Sequence, residues 1–190
     1  MGEVKNILLV GVGGQGIILV SKMLIAGLMK AGYDVKMSEV HGMAQRGGSV
    51  TTQVRFGEKV YSSIIGKGQA DILVSFEKME AARWIEYLKP DGKVVVNNFE
   101  IPSMPIATMK AEYPQNVIEA LEKEFTTTTL DATKAAIEIG NIRTQNIVLF
   151  GALVKALGLN DIDWIEILKE NLPPKMVDIN IKAFIKGTEL

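Results

Sequence analysis

The chain has 190 residues, 47% of them hydrophobic and 23% charged, with a formal net charge of −1. That length suits one domain with a well-buried core, and the charge leaves no general basic face of the kind that displaces counterions from nucleic acid, so no nucleic-acid partner is expected. There is no cysteine and His41 is the only histidine, which excludes a disulfide framework, a thiolate or multi-histidine metal site, and an iron–sulfur cluster ligated by this chain alone.

The apolar runs, such as Ile7-Leu8-Leu9-Val10, are too short to cross a bilayer. Met1 to Lys5 leads directly into that run, without the longer apolar stretch of a secretory signal. A cytoplasmic protein with no membrane contact is expected.

Asn6 to Val10 reads as a strand that ends in Gly11-Val12-Gly13-Gly14-Gln15-Gly16. Ile17 to Leu28 then carries apolar residues at helical spacing and Gly32 closes it, giving strand, tight turn, helix. Asp34 to Val40 returns as a second strand, followed by a polar, glycine-rich loop from His41 to Gly48. Val50 to Phe56 alternates apolar and polar residues, and Gly57-Glu58 turns into Lys59 to Ile65. These two segments predict an antiparallel hairpin inserted after the second strand.

Ala70 to Phe76 reads as a buried strand, Glu77 to Leu88 as an amphipathic helix, Pro90-Asp91-Gly92 as a turn and Lys93 to Asn97 as a strand. An irregular stretch from Asn98 leads to a short edge strand over Pro105 to Met109. Tyr113 to Glu124 is helical and Phe125 to Leu130 is a threonine-rich strand. Helices then cover Ala132 to Ile139, Thr144 to Leu157, Asp161 to Leu172 and Lys175 to Phe184. With no repeat or linker, residues 1–190 form a single domain. The alternation implies an α/β fold: a mostly parallel, Rossmann-like sheet with helices on both faces, an inserted β-hairpin and a helical C-terminal third.

Gly11, Gly13 and Gly16 have the G-x-G-x-x-G spacing between a strand and a helix. The first glycine suits a tight turn, the second close approach of a ligand, and the third packing of helix on strand. Unpaired N–H groups at the helix start suit an anion, so Gly11, Gly13, Gly14, Gln15 and Gly16 are candidate cofactor-binding residues. Glu39 lies 23 residues beyond Gly16, near where a ribose-binding acid belongs. Gly14-Gln15 and the inserted hairpin depart from a dinucleotide unit, and a purely structural turn is the alternative.

The loop Ser38-Glu39-Val40-His41-Gly42-Met43-Ala44-Gln45-Arg46-Gly47-Gly48-Ser49 gathers a carboxylate, an imidazole, a guanidinium and three glycines. Open α/β sheets bind ligands at the carboxyl ends of their strands, where this loop belongs. Arg46 suits a two-pronged grip on a phosphate or carboxylate, and the N–H groups of Gly47 and Gly48 suit an anion. Arg46, Glu39 and His41 are the candidate catalytic residues. The plainer alternatives are a Glu39–Arg46 ion pair on a solvated rim and a structural, hydrogen-bonding His41.

Together, the glycine turn and the string from Glu39 to Val50 resemble the small subunits of 2-oxoacid:ferredoxin oxidoreductases, and the second string is most similar to the β subunit of the indolepyruvate enzymes. Gly140-Asn141-Ile142-Arg143-Thr144-Gln145-Asn146, followed by Gly151-Ala152-Leu153, fits the same family, and the likeness spans nearly the whole chain. The resemblance implies decarboxylation of a 2-oxoacid on thiamine diphosphate, transfer of electrons through iron–sulfur clusters to ferredoxin, and transfer of the acyl group to coenzyme A.

Pro90-Asp91-Gly92 with Asn97-Asn98 lacks the leading glycine and the spacing of a thiamine signature. The resemblance therefore places thiamine diphosphate, magnesium and clusters on a large α subunit, with ferredoxin reached through the complex and coenzyme A as co-substrate. The chain alone is expected to bind no cofactor. Contacts in a homodimer are left open, as are two other readings: a stand-alone NAD(P)-binding oxidoreductase and a non-catalytic assembly module.

Overall fold

A computed structural model describes residues 3–42 and 47–190, and only the backbone of His41. In chain order the elements are β1 (Lys5–Val12), α1 (Ile17–Lys30), β2 (Asp34–His41), β3 (Ser49–Gly57), β4 (Ala70–Ser75), α2 (Lys78–Trp84), β5 (Leu88–Asn97), α3 (Met104–Ala107), α4 (Val117–Glu124), β6 (Thr126–Leu130), α5 (Ala132–Ile139), α6 (Gln145–Leu157), α7 (Trp164–Asn171) and α8 (Pro174–Glu189). The six strands form one sheet in the order β2-β3-β1-β4-β5-β6. β1, β4, β5 and β6 pair in parallel, while β3 is antiparallel to both β1 and β2.

The central strands are apolar at successive positions because both of their faces are covered. On one face Ile7, Leu9, Val54, Ile72 and Val95 pack against residues of α1, α6, α7 and α8. On the other, Leu8, Val10, Leu73, Val94 and Val96 pack against α2 and α4. α1 stops at Gly32, whose φ of 88° is left-handed, and the N–H of Tyr33 returns to Leu28 O. This is the glycine-terminated helix end that the position of Gly32 predicts. α6 and α8 meet where Gly151 faces the backbone of Phe184 and Gly187 that of Val148.

Three local expectations are corrected. The antiparallel hairpin exists, but its strands are β2 and β3. Lys59 to Ile65 adds no strand, because both edges of β3 are already taken. That segment is held by side chains instead: Ile65 N–H donates to Gln53 Oε1 at 2.6 Å, and Arg55 Nη1 donates to the carbonyls of Ser62 and Ile64. The expected edge strand at 105–109 is the short helix α3, begun by Pro105 in its first turn, a position that suits the fixed φ of proline. The turn expected at Pro90-Asp91-Gly92 lies inside β5 as an irregularity, where the β4–β5 register shifts between Ala70 and Ile72. Among the described residues no helix is long and apolar enough to cross a membrane.

Candidate functional site

The carboxyl ends of β1, β4, β5 and β6 share one edge of the sheet with the glycine turn. The turn is tightly braced from within. Gln15 is buried, and its side-chain Oε1 accepts from Val12 N–H at 2.7 Å while its Nε2 donates to Phe76 O at 2.8 Å. Both ends of the amide are thus used inside the protein. Gly11 still belongs to β1, and a Cβ there would lie 2.7 Å from Gln15 Oε1 and 2.8 Å from Phe76 Cβ.

Packing, not a tight turn, therefore requires Gly11. Gly13 N–H donates to Gly48 O at 2.8 Å, so that amide joins the turn to the next loop. Gly14 and Gly16 have φ of 101° and 81°, the left-handed region that favours glycine. A Cβ on Gly16 would strike the Asn146 side chain, so α1 abuts the start of α6 there. Beside the turn lies a cavity of about 280 Å³ lined by Val12, Gly13, Gly14, Gly16, Ile17, Ile18 and Val50. Its side chains are apolar, which leaves polar recognition there to backbone groups.

Glu39 lies on the edge strand β2, opposite Thr52, and β3 separates it from the glycine turn on β1. In a dinucleotide-binding unit the strand bearing the acid neighbours the strand bearing the turn. Here they stand two strand spacings apart, roughly 9–10 Å, so the two motifs do not form that unit. Glu39 Oε1 and Thr52 Oγ1 are both buried and have no hydrogen-bond partner among the described residues. Arg46, on which the two-pronged grip and the rim ion pair both depend, lies outside the described residues, as does the His41 side chain. Gly47, with φ of 80°, and Gly48 lead into β3.

Sequence reading missed a polar cluster at the same edge. Glu77, fully buried, caps α2 by accepting from Glu80 N–H at 2.9 Å, and it also accepts from Ile101 N–H and from the Tyr113 hydroxyl. It thereby staples both ends of the segment between β5 and α4 to α2. Burial beside this carboxylate pushes the Tyr113 phenol far above its ordinary range. Glu80, also buried, accepts from Ser49 Oγ at 2.5 Å and from Arg83 at 2.5 Å. Asn97 Oδ1 caps the start of α5 by accepting from Ala132 N–H at 3.0 Å. The signal available for this cluster was its place just beyond two buried strands, at the sheet's carboxyl edge. Asn141 caps the short turn before α6, and Arg143 follows it there, which is the structural role open to that string.

Residues 6–190 match the family model for pyruvate ferredoxin/flavodoxin oxidoreductase. The chain belongs to that family. It is 44% identical to the indolepyruvate oxidoreductase subunit IorB of Pyrococcus horikoshii, covering 97% of this chain and 94% of that one. It is 29% identical to the 2-oxoglutarate synthase subunit KorC of Methanothermobacter marburgensis, over 98% and 96%. The fold matches the γ subunit of a keto/oxoacid ferredoxin oxidoreductase from Geobacter sulfurreducens, with a TM-score of 0.71 at 23% identity over 97% of this chain and 96% of that one. It also matches 31% of a chain of the 2-oxoglutarate:ferredoxin oxidoreductase from Magnetococcus marinus, with a TM-score of 0.74 at 22% identity over 98% of this chain. The same fold thus occurs both as a separate chain and as part of a longer one.

Proposed function

We propose that this chain is the small subunit of an indolepyruvate-type 2-oxoacid:ferredoxin oxidoreductase, which converts an arylpyruvate and coenzyme A to an acyl-CoA and carbon dioxide while reducing ferredoxin. The observation that carries this reading is the 44% identity to an indolepyruvate oxidoreductase subunit along nearly the whole of both chains. The donor set supports a division of labour. The chain has no cysteine, and no group of three or more histidine, aspartate or glutamate residues converges among the described residues. Iron–sulfur clusters need thiolates that this chain lacks, and the reading assigns them, with thiamine diphosphate and magnesium, to a large α subunit; thiamine diphosphate would supply the electron sink that decarboxylation needs.

This chain's part is played at the carboxyl edge of the sheet. The glycine turn and the loop between β2 and β3 face the partner, with Arg46 and the N–H groups of Gly47 and Gly48 available to the charge of the substrate or to the phosphates of coenzyme A. Glu39 and His41 flank that loop as supporting groups. The deciding experiment is co-expression with the large subunit and assay of ferredoxin reduction with arylpyruvates, pyruvate and 2-oxoglutarate. Coenzyme A-dependent turnover that favours arylpyruvates is expected, and a preference for 2-oxoglutarate or pyruvate would overturn the substrate assignment.

A further inference from the structure

Glu80 is 2% exposed, yet its carboxylate faces the base of the loop between β2 and β3. Besides the strand pairing that reaches Ser49 and Val50, three hydrogen bonds among the described residues tie down the neck of that loop. Gly42 N–H donates to Ser49 O at 3.1 Å and closes it; Gly13 N–H donates to Gly48 O at 2.8 Å and ties it to the glycine turn. Ser49 Oγ donates to Glu80 Oε2 at 2.5 Å and ties it to α2. The first two are backbone bonds; of these three, the third depends on side-chain identity.

We propose that Glu80 is a positioning residue: through the Ser49 hydroxyl, its carboxylate holds the neck of this loop to α2, where the neck meets the glycine turn. The energetics separate this role from ordinary stabilisation. Burial raises the pKa of Glu80 above the ordinary 4.5; the Ser49 hydrogen bond and the Arg83 charge pull it down, and the neighbouring Glu77 pushes it up. Trp84, on the same helix, also pulls it down.

A carboxyl whose folded pKa exceeds its unfolded value favours the fold most at low pH, and loses that contribution as pH rises through the folded value. Wherever Glu80 is ionised, its burial therefore costs the fold stability. A glutamine could accept the Ser49 hydrogen bond without that cost. What the charge adds is a stronger, charge-assisted hold on Ser49.

The test uses Glu80→Gln and Ser49→Ala, and only its activity arm rests on the proposed function. In the isolated chain at pH 7, Glu80→Gln should unfold at the wild-type midpoint or above it. In both variants the amides of Gly13 and Gly42 should exchange with solvent roughly 10-fold faster, while the central strands keep their protection. In the assembled complex, kcat/KM of Glu80→Gln should fall roughly 10-fold, because small misplacements of a binding loop are costly to rate. Wild-type exchange at the two glycines in either variant would overturn the proposal. So would a loss of stability that speeds exchange across the whole sheet, or full kcat/KM in the Glu80→Gln complex. A wild-type complex without ferredoxin-linked activity would count against the proposed function instead and leave the exchange measurements to decide this one.

Discussion

The most constrained side chain at the site is Gln15. It joins Val12, where β1 ends, to Phe76, which follows β4, in a space that a Cβ on Gly11 would invade. Gln15→Ala would leave the buried Val12 N–H without its partner, at about 1–3 kcal/mol, and the Phe76 carbonyl with only the longer bond from Asn97 Nδ2 at 3.4 Å. The urea midpoint should fall accordingly with an unchanged slope. Arg46 makes the opposite prediction. Arg46→Ala should leave the midpoint unchanged, since a loop arginine carries little of the fold. It should lower ferredoxin reduction by the assembled enzyme about 10-fold or more, as expected for loss of a charge-assisted contact. Arg46→Lys should recover only part, because an ammonium lacks the planar fork. Full activity in Arg46→Ala, with assembly verified by size exclusion, would remove Arg46 from the site. At this scale the sequence marked the glycines but not the reasons for them. Spacing shows that small residues are needed, whereas Phe76 and the Asn146 side chain, which help to enforce the need, come from distant parts of the chain, and the inward turn of the Gln15 amide depends on Phe76.

Elements with strong periodicity or clear stops were legible from the chain alone: α1 with its closing Gly32, the buried runs of β4 and β5, and the helices of the C-terminal third. Misreadings fell where tertiary contacts overrode local preference. Lys59 to Ile65 looks like a strand, but Arg55 and Gln53 bind its backbone, and both edges of the preceding strand β3 are taken by β1 and β2. The interposition of β3 between β2 and β1 is a long-range pairing that alternation within Val50 to Phe56 cannot reveal. The α6–α8 contact yields a sharp prediction. A Cβ on Gly151 would lie 2.9 Å from Thr188 N and closer still to Phe184 O, which is backbone and cannot swing away. Gly151→Ala should therefore push the helices apart and cost about 1–3 kcal/mol through overpacking, despite the better helix propensity of alanine. Calorimetry on the isolated chain checks this, and a raised melting temperature would show that the two helices are free to shift.

For the molecule as a whole, the sheet order bears on which chemistry it can serve. The glycine turn resembles a dinucleotide site, but β3 holds Glu39 away from it, and the cavity at the turn is walled by Val12, Ile17, Ile18 and Val50. No tight NAD(P) binding is expected. Calorimetric dissociation constants of micromolar order, about −8 kcal/mol, would revive a dehydrogenase. The donor set leads to the final prediction. Moving electrons to ferredoxin requires redox centres, and a chain without cysteine offers no thiolate to hold a cluster. The residues it does gather at the sheet's carboxyl edge are amide, hydroxyl and carboxylate groups, suited to holding loops and charges in place. The pure chain should therefore reduce no ferredoxin with any 2-oxoacid, even when supplied with thiamine diphosphate, magnesium and coenzyme A. Activity should appear on titration with the large subunit and saturate when the complex seen by size exclusion is fully formed. The large subunit alone should remain well below the activity of the pair if this chain contributes its sheet edge as proposed. Turnover by the isolated chain would refute the division of labour. Full turnover by the large subunit alone would reduce this chain to an assembly module.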